Sequence, residues 1–355
     1  MRKYFKFFVL SALAVLILWY FGRSLDWTEV WSSLRRADAM RLTIATAIIC
    51  FGYLLRAFRW RTLLAPISES NLRDLFATTT IGFAAVFLFG RAGEVVRPLW
   101  LPMRDKRIRP SAALVTIGLE RICDLIAIVL LFALNLLWFQ APPGREAEYV
   151  MVNRVGLLML ICAVAGLVAL AIFTYFSQPI VVWFENLFEG LRFVPKNLKR
   201  IFLSLLKNLA ASLQILRDPK ELALIVFWTG ALWFTISLPT YLVLTAFGLP
   251  LSFSDALFIM GWAVVGSLVP TPGGAAGAFH ATTAAALMFM NVNRSDAAAA
   301  AIVMHLVYFA PALAFGFYYF LHGDISWTRF RTMIVADEES PELRIENAEF
   351  RNASS

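Results

Sequence analysis

The stretch Phe87 to Leu99, read FLFGRAGEVVRPL, most constrains what this chain can become. It closes an almost wholly apolar run that begins at Leu75, and into it come Gly90, Arg91, Gly93, Glu94, Arg97 and Pro98. Glycine and proline break a helix. Each charge in a hydrophobic tract costs about 2.5–3.5 kcal/mol on insertion scales. A charged break at membrane depth survives only where protein or water surrounds it. The stretch therefore reads as an interrupted helix lining a polar cavity. The alternative is a loop at the membrane surface, where the arginines snorkel to lipid phosphates.

The rest of the chain agrees with a membrane setting. It is 60% hydrophobic and only 16% charged, against about 25% charged in soluble proteins. The expected class is an all-α polytopic membrane protein. Its net charge of +8 does not indicate nucleic acid, because the basic residues sit between apolar runs. Cys50, Cys123 and Cys162 all lie inside apolar tracts, without disulfide or metal spacing. No cofactor, metal site or catalytic residue is expected.

In chain order, an apolar run follows Arg2, Lys3 and Lys6 as an uncleaved first span, and Trp27 to Met40 is a short polar loop. Full spans follow at about 40–58, 112–139, 155–176, 221–247 and 297–321, the first of these ending in an interfacial anchor, Arg56, Arg59, Trp60 and Arg61. Two broken tracts, about 74–103 and 255–290, return to the side they started from. The apolar positions of 196–217 recur at helical spacing, as in an amphipathic helix on the membrane surface or packed on other protein. Residues 1–322 form one transmembrane domain, and 323–355 an acidic, Ser-rich cytoplasmic tail, disordered by composition. With both termini inside, 22 of the 32 Lys and Arg fall in cytoplasmic segments and 7 outside. The positive-inside rule then supports six full spans and two re-entrant hairpins.

The two broken tracts align. Asp74-Leu75-Phe76 matches Asp255-Ala256-Leu257-Phe258, each breaks after about fifteen apolar residues, and each leads to an Ala-rich span. An odd number of spans lies between them, which makes the second unit an inverted copy. Chance likeness between Ala- and Leu-rich helices is the alternative.

The span at 112–139 carries Glu120, Arg121 and Asp124, and Glu120 and Asp124 share a face at i, i+4. Together with Arg91, Glu94 and Arg97 they sum to zero charge. Either they pair across a cavity and leave a guanidinium for a phosphate, or they only lock the hairpin to this span. Arg97 and Glu94 lie three apart, which on a continuing helix gives them a common face, with Arg97 as phosphate contact. Gly273 and Gly274, after Pro272, offer backbone amides to an anion. His280 and His305 are candidates for a proton relay, or simple packing residues.

These residues carry a resemblance. Arg56-Ala57-Phe58-Arg59-Trp60, Gly90 to Arg97, Glu120-Arg121-Ile122-Cys123-Asp124 and Pro270 to Gly277 are similar to the motifs of the flippase-like transmembrane region of lysylphosphatidylglycerol synthase. The likeness covers about residues 5–322. It implies movement of polar-headed lipids, including aminoacylated phospholipids, between leaflets of a bacterial inner membrane. His280 stands where the family has a glutamate. The family's soluble aminoacyl-transferase part has no counterpart here, so no synthase activity is expected. The site set is then Arg91, Glu94, Arg97, Glu120, Arg121, Asp124, Pro272, Gly273, Gly274 and His280, with His280 and His305 for protons. The partners are a membrane lipid and the bilayer, with a second copy or a lipid-modifying enzyme as further candidates. Two rival functions remain: an intramembrane enzyme acting on a lipid phosphate or prenyl carrier through Glu120 and Asp124, and a scaffold that transports nothing.

Overall fold

The computed structural model describes residues 26–65, 68–190, 217–269, 271 and 273–322, with single positions 19, 199, 202, 203, 206, 207, 209, 210 and 213. The expected first span, the tail from 323 and Pro272 lie outside the described residues. The described secondary structure is helical throughout. In order come α1 (Trp27–Arg36), α2 (Ala39–Leu64), α3 (Leu72–Phe89), a 3₁₀ turn (Gly90–Val95), α4 (Val96–Arg104), α5 (Pro110–Asn135), α6 (Glu146–Gly190), α7 (Pro219–Ala246), α8 (Phe253–Ser267), α9 (Ala276–Phe289) and α10 (Arg294–Leu321). The caps explain most of the starts. Asp26, Asp38, Asn71, Asp218 and Asn293 each accept backbone amides of the first turn, and Ser252 forms a capping box with Asp255.

Among the described residues five helices are long and apolar enough to cross a membrane: α2, α3, α6 as far as Phe188, α7 and α10. That differs from the expected list. α5 is 26 residues long but carries three ionisable residues, and α3 reaches spanning length by itself. The supposed loop at 27–40 contains a helix, because Asp26 caps its start and Arg35 and Arg36 sit at its negative end. The supposed interfacial end of α2 is also corrected: the helix runs on to Leu64, with Arg59 and Trp60 fully buried. α6 is a single run that bends at Phe176. Pro179 has no amide to return to the Tyr175 carbonyl. Arg217 donates to the carbonyls of Thr174 and Tyr175 instead.

Each broken tract folds back on itself. Along the first, Gly93 lies against the Ala85 backbone, Arg97 against Gly82, and Arg104 Nη1 is 2.8 Å from Asp74 Oδ1. The two arms are therefore antiparallel in step, each about 25 Å long. In the second tract, Gly266 meets Ala278 and Thr282, while Phe258 meets Phe289. Its arms of 15 and 14 residues are about 20 Å long, short of a hydrocarbon core of about 30 Å.

The packing of the two pairs is reciprocal. α3, which opens the first pair, lies on α10, the helix that follows the second: Phe76 meets Phe315 and Tyr319, and Gly316 meets Thr80 and Ala84. α8, which opens the second pair, lies on α5, the helix that follows the first: Asn135 Nδ2 donates to the Ser254 carbonyl, 2.9 Å, and Gly261 meets Phe132. The start of one helix meets the end of the other both times. The pairs thus enter the bundle from opposite ends and meet tip to tip. The Phe87 carbonyl accepts from Gly273 N at 2.6 Å and Gly274 N at 3.0 Å.

Most of 196–217 lies outside the described residues. Of the described positions, Leu213 is buried with Leu63, Leu119 and Ile225, Lys207, itself exposed, has Nζ 2.7 Å from Glu185, and Lys199 donates to the Phe188 carbonyl. At the same end of the bundle Asp105 accepts from Arg107, Ser68 and Ser70, and these bonds, Arg107 first, hold its carboxyl below the usual carboxylate range.

Candidate functional site

α2 and α5 supply opposite charges to one buried network. On α2, Arg56 and Arg59 are three apart and share a face. On α5, Glu120 and Asp124 share a face at four apart. Arg59, with no exposed surface, reaches both carboxylates: Nη1 is 2.6 Å from Asp124 Oδ1, and Nε is 3.9 Å from Glu120 Oε1. Arg97, at the start of α4, places Nη1 2.6 Å from Glu120 Oε2, and its guanidinium lies 4.2 Å from the centroid of the Trp60 ring. Trp60 Nε1 donates in turn to Thr116 at 3.0 Å. Arg121 Nη1 is 3.8 Å from the other Asp124 oxygen.

Above this network is a cavity of about 400 Å³ at the middle of the bundle. Its lining includes the charged residues Arg56, Glu94, Arg121 and Asp124, with Tyr53 beside them. Next to it runs an apolar groove of about 720 Å³ between α5, α6, α8 and α9. Leu125, Ile128, Val264 and Leu268 line both. A chamber that carries charged residues and an apolar trough therefore share one wall.

Of the residues expected from sequence, Glu94, Arg121 and Asp124 line the cavity. Arg97 and Glu120 lie behind it, bonded to each other. Glu94 and Arg97 do not act together: Glu94 lines the cavity from the 3₁₀ turn, while Arg97, at the start of α4, is bonded to Glu120. The anion cradle expected at Gly273 and Gly274 is not formed, since both amides are spent on the Phe87 carbonyl. The backbone runs left-handed from Gly273 through Ala275, with φ of 77°, 62° and 61°. His280 and His305 do come together, ring centroids 4.9 Å apart, and His305 Nε2 is 3.3 Å from the Gly274 carbonyl oxygen. They sit at the junction of the two tips, outside the cavity lining. Arg91 belongs to the 3₁₀ turn, and its side chain, like Pro272, lies outside what is described.

Two residues of the site were missed. Arg56 and Arg59 read as a surface anchor because the apolar count of α2 stops near Phe58. Their spacing of three and the tryptophan that follows were the available signal for a buried face.

A family profile described as the lysylphosphatidylglycerol synthase TM region matches residues 7–316. The chain is also similar to a UPF0104 membrane protein of Pyrococcus horikoshii, at 19% identity over 323 residues, which covers 87% of this chain and 93% of that protein.

Proposed function

Since the chain belongs to the family of the lysylphosphatidylglycerol synthase transmembrane region, we propose that it carries a polar-headed membrane lipid between leaflets. The observation behind this reading is the shared wall of Leu125, Ile128, Val264 and Leu268. A headgroup in the chamber leaves its acyl chain a continuous apolar path into the groove. Taking a charged headgroup unaided through hydrocarbon is costly, and a chamber lined by two arginines and two carboxylates lowers that cost. In this reading the two folded-back pairs are re-entrant hairpins and the tip junction is the septum between the two sides.

Reconstituted protein is expected to make fluorescent phosphatidylglycerol in the outer vesicle leaflet equilibrate with the inner one. Dithionite quenching of the outer pool measures this. Val264→Trp, which fills the common wall, is expected to slow the equilibration at least about tenfold. A wild-type protein that leaves the lipid in place overturns the proposal. Transport is favoured over intramembrane catalysis because Arg97 and Arg59 engage the two carboxylates that would serve as acid and base.

For orientation we propose that the bundle end bearing Arg104, Pro110 and Pro219 faces the cytoplasm of a bacterial inner membrane, from the surplus of basic residues there. After Cys50, Cys123 and Cys162 are replaced by alanine, new cysteines at Arg104 and Pro110 should label from the cytoplasm. Those at Leu249 and Asn293 should label from outside. Labelling of 104 and 249 from one side contradicts the arrangement.

A further inference from the structure

The buried network does not balance. Among the described side chains it holds four guanidiniums, Arg56, Arg59, Arg97 and Arg121, against three carboxylates, Glu94, Glu120 and Asp124. Arg59, Arg97 and Arg121 each have a carboxylate within 4.0 Å. Arg56 has none among the described residues. It is held by a ring instead, its guanidinium 4.7 Å from the centroid of Phe83, which Tyr53 meets edge-on at 5.4 Å. A guanidinium held over an aromatic face is attracted by the ring's quadrupole without an oxygen acceptor, so its in-plane N–H groups can still donate to one. Arg56 and Phe83 both line the cavity.

A cation at membrane depth with no carboxylate in direct contact is unfavourable unless something completes it. We propose that Arg56 is the phosphate-binding residue of the cavity, and that the ligand it takes is an anionic phosphate, the phosphodiester of a lipid. The inference rests on the transport reading for the lipid, but not for the anion. The packing of α2 on α7 fits. Gly52 lies against Thr235 and Arg59 Nη1 is 3.5 Å from Thr229, so Arg56 falls level with Leu232 and Trp233, which also line the cavity. The cation thus stands at mid-wall, and Asp124, the carboxylate of the lining that acts on it, is already bonded to Arg59. Arg97, the residue that the sequence favoured for this role, is engaged by Glu120 and stacked on Trp60.

The test uses the purified full chain in detergent, titrated with phosphatidylglycerol, diacylglycerol and inorganic phosphate, with binding read from the melting temperature. Arg56→Gln is expected to weaken phosphatidylglycerol at least about tenfold and to leave diacylglycerol unchanged. Arg56→Lys should recover part of the affinity, because a single ammonium cannot form the two-pronged bond. The ligand-free melting temperature of Arg56→Gln should fall much less than that of Arg97→Gln, since no carboxylate loses a bonded partner. Equal binding of phosphatidylglycerol by wild type and Arg56→Gln overturns the assignment. So does a ligand-free Arg56→Gln protein as unstable as Arg97→Gln, which would make Arg56 a structural partner. If inorganic phosphate binds as tightly as the lipid, dependent on Arg56, and vesicles show no lipid movement, the site stands and the lipid-transport reading falls.

Discussion

An Arg59→Met protein is expected to lose about 3–5 kcal/mol of folding free energy, the cost of leaving a buried charge without its partner. That is a large share of the roughly 5–15 kcal/mol by which a domain is usually folded. Arg59 is wholly buried and bonds Asp124 at 2.6 Å while approaching Glu120 at 3.9 Å. Methionine fills much of the same volume, so the loss measures charge rather than a cavity. Glu120 keeps Arg97, at 2.6 Å. Asp124 keeps only the looser Arg121, at 3.8 Å, and should carry most of the penalty. Arg59→Met together with Asp124→Leu should therefore recover most of the stability. Arg59→Lys should fall between, since one ammonium cannot reach both carboxylates. Melting temperature and the monodisperse fraction after solubilisation report all three. A single Arg59→Met variant that melts with wild type would mean that the pair contributes nothing.

How much of this was readable beforehand depends on the range of the interaction. The folded-back tracts were legible because glycine, proline and charge interrupt apolar runs locally, at Gly90 to Pro98 and at Pro270 to Gly274. The shared face of Glu120 and Asp124 followed from helical spacing, and both do meet Arg59. The partner itself was not legible. Arg59 sits in a string of arginines at the end of an apolar run, the pattern of an interfacial anchor, and only the continuation of α2 to Leu64 buries it. The Gly273 and Gly274 amides misled for a related reason. Their left-handed backbone was readable from composition, but whether such amides meet a ligand or a carbonyl depends on Phe87, about 185 residues earlier in the sequence. Glu94 and Arg97 were assigned to one ligand because a spacing of three brings side chains to one face in an α-helix and a 3₁₀ turn alike, and that spacing cannot show that Arg97 is bonded to Glu120 instead.

The contrast between two glycines should be as large and of opposite sign. Gly93 lies where the return arm of the first pair crosses α3, and a Cβ built there would overlap the carbonyl group of Ala85 and the amide of Val86. Backbone cannot rotate aside as a side chain can. Gly93→Val must therefore push the 3₁₀ turn off α3, at a cost of about 3 kcal/mol or more, the upper range for forced overpacking. The displacement would begin one residue before Glu94 and four before Arg97, so it should pull a carboxylate from the cavity wall and stretch the bond to Glu120. Gly118, on α5, has nothing within 4 Å of its missing Cβ. Glycine inside a helix costs about 0.5–1 kcal/mol relative to alanine, so Gly118→Ala should raise the melting temperature slightly. Gly93→Ala belongs with the valine variant rather than with Gly118→Ala, because the overlap begins at the first carbon. Melting curves of Gly93→Ala and Gly118→Ala decide it. If Gly93→Ala is as stable as wild type, the two arms are not in contact at that position, and the antiparallel register from Ala85 to Asp74 would have to be redrawn.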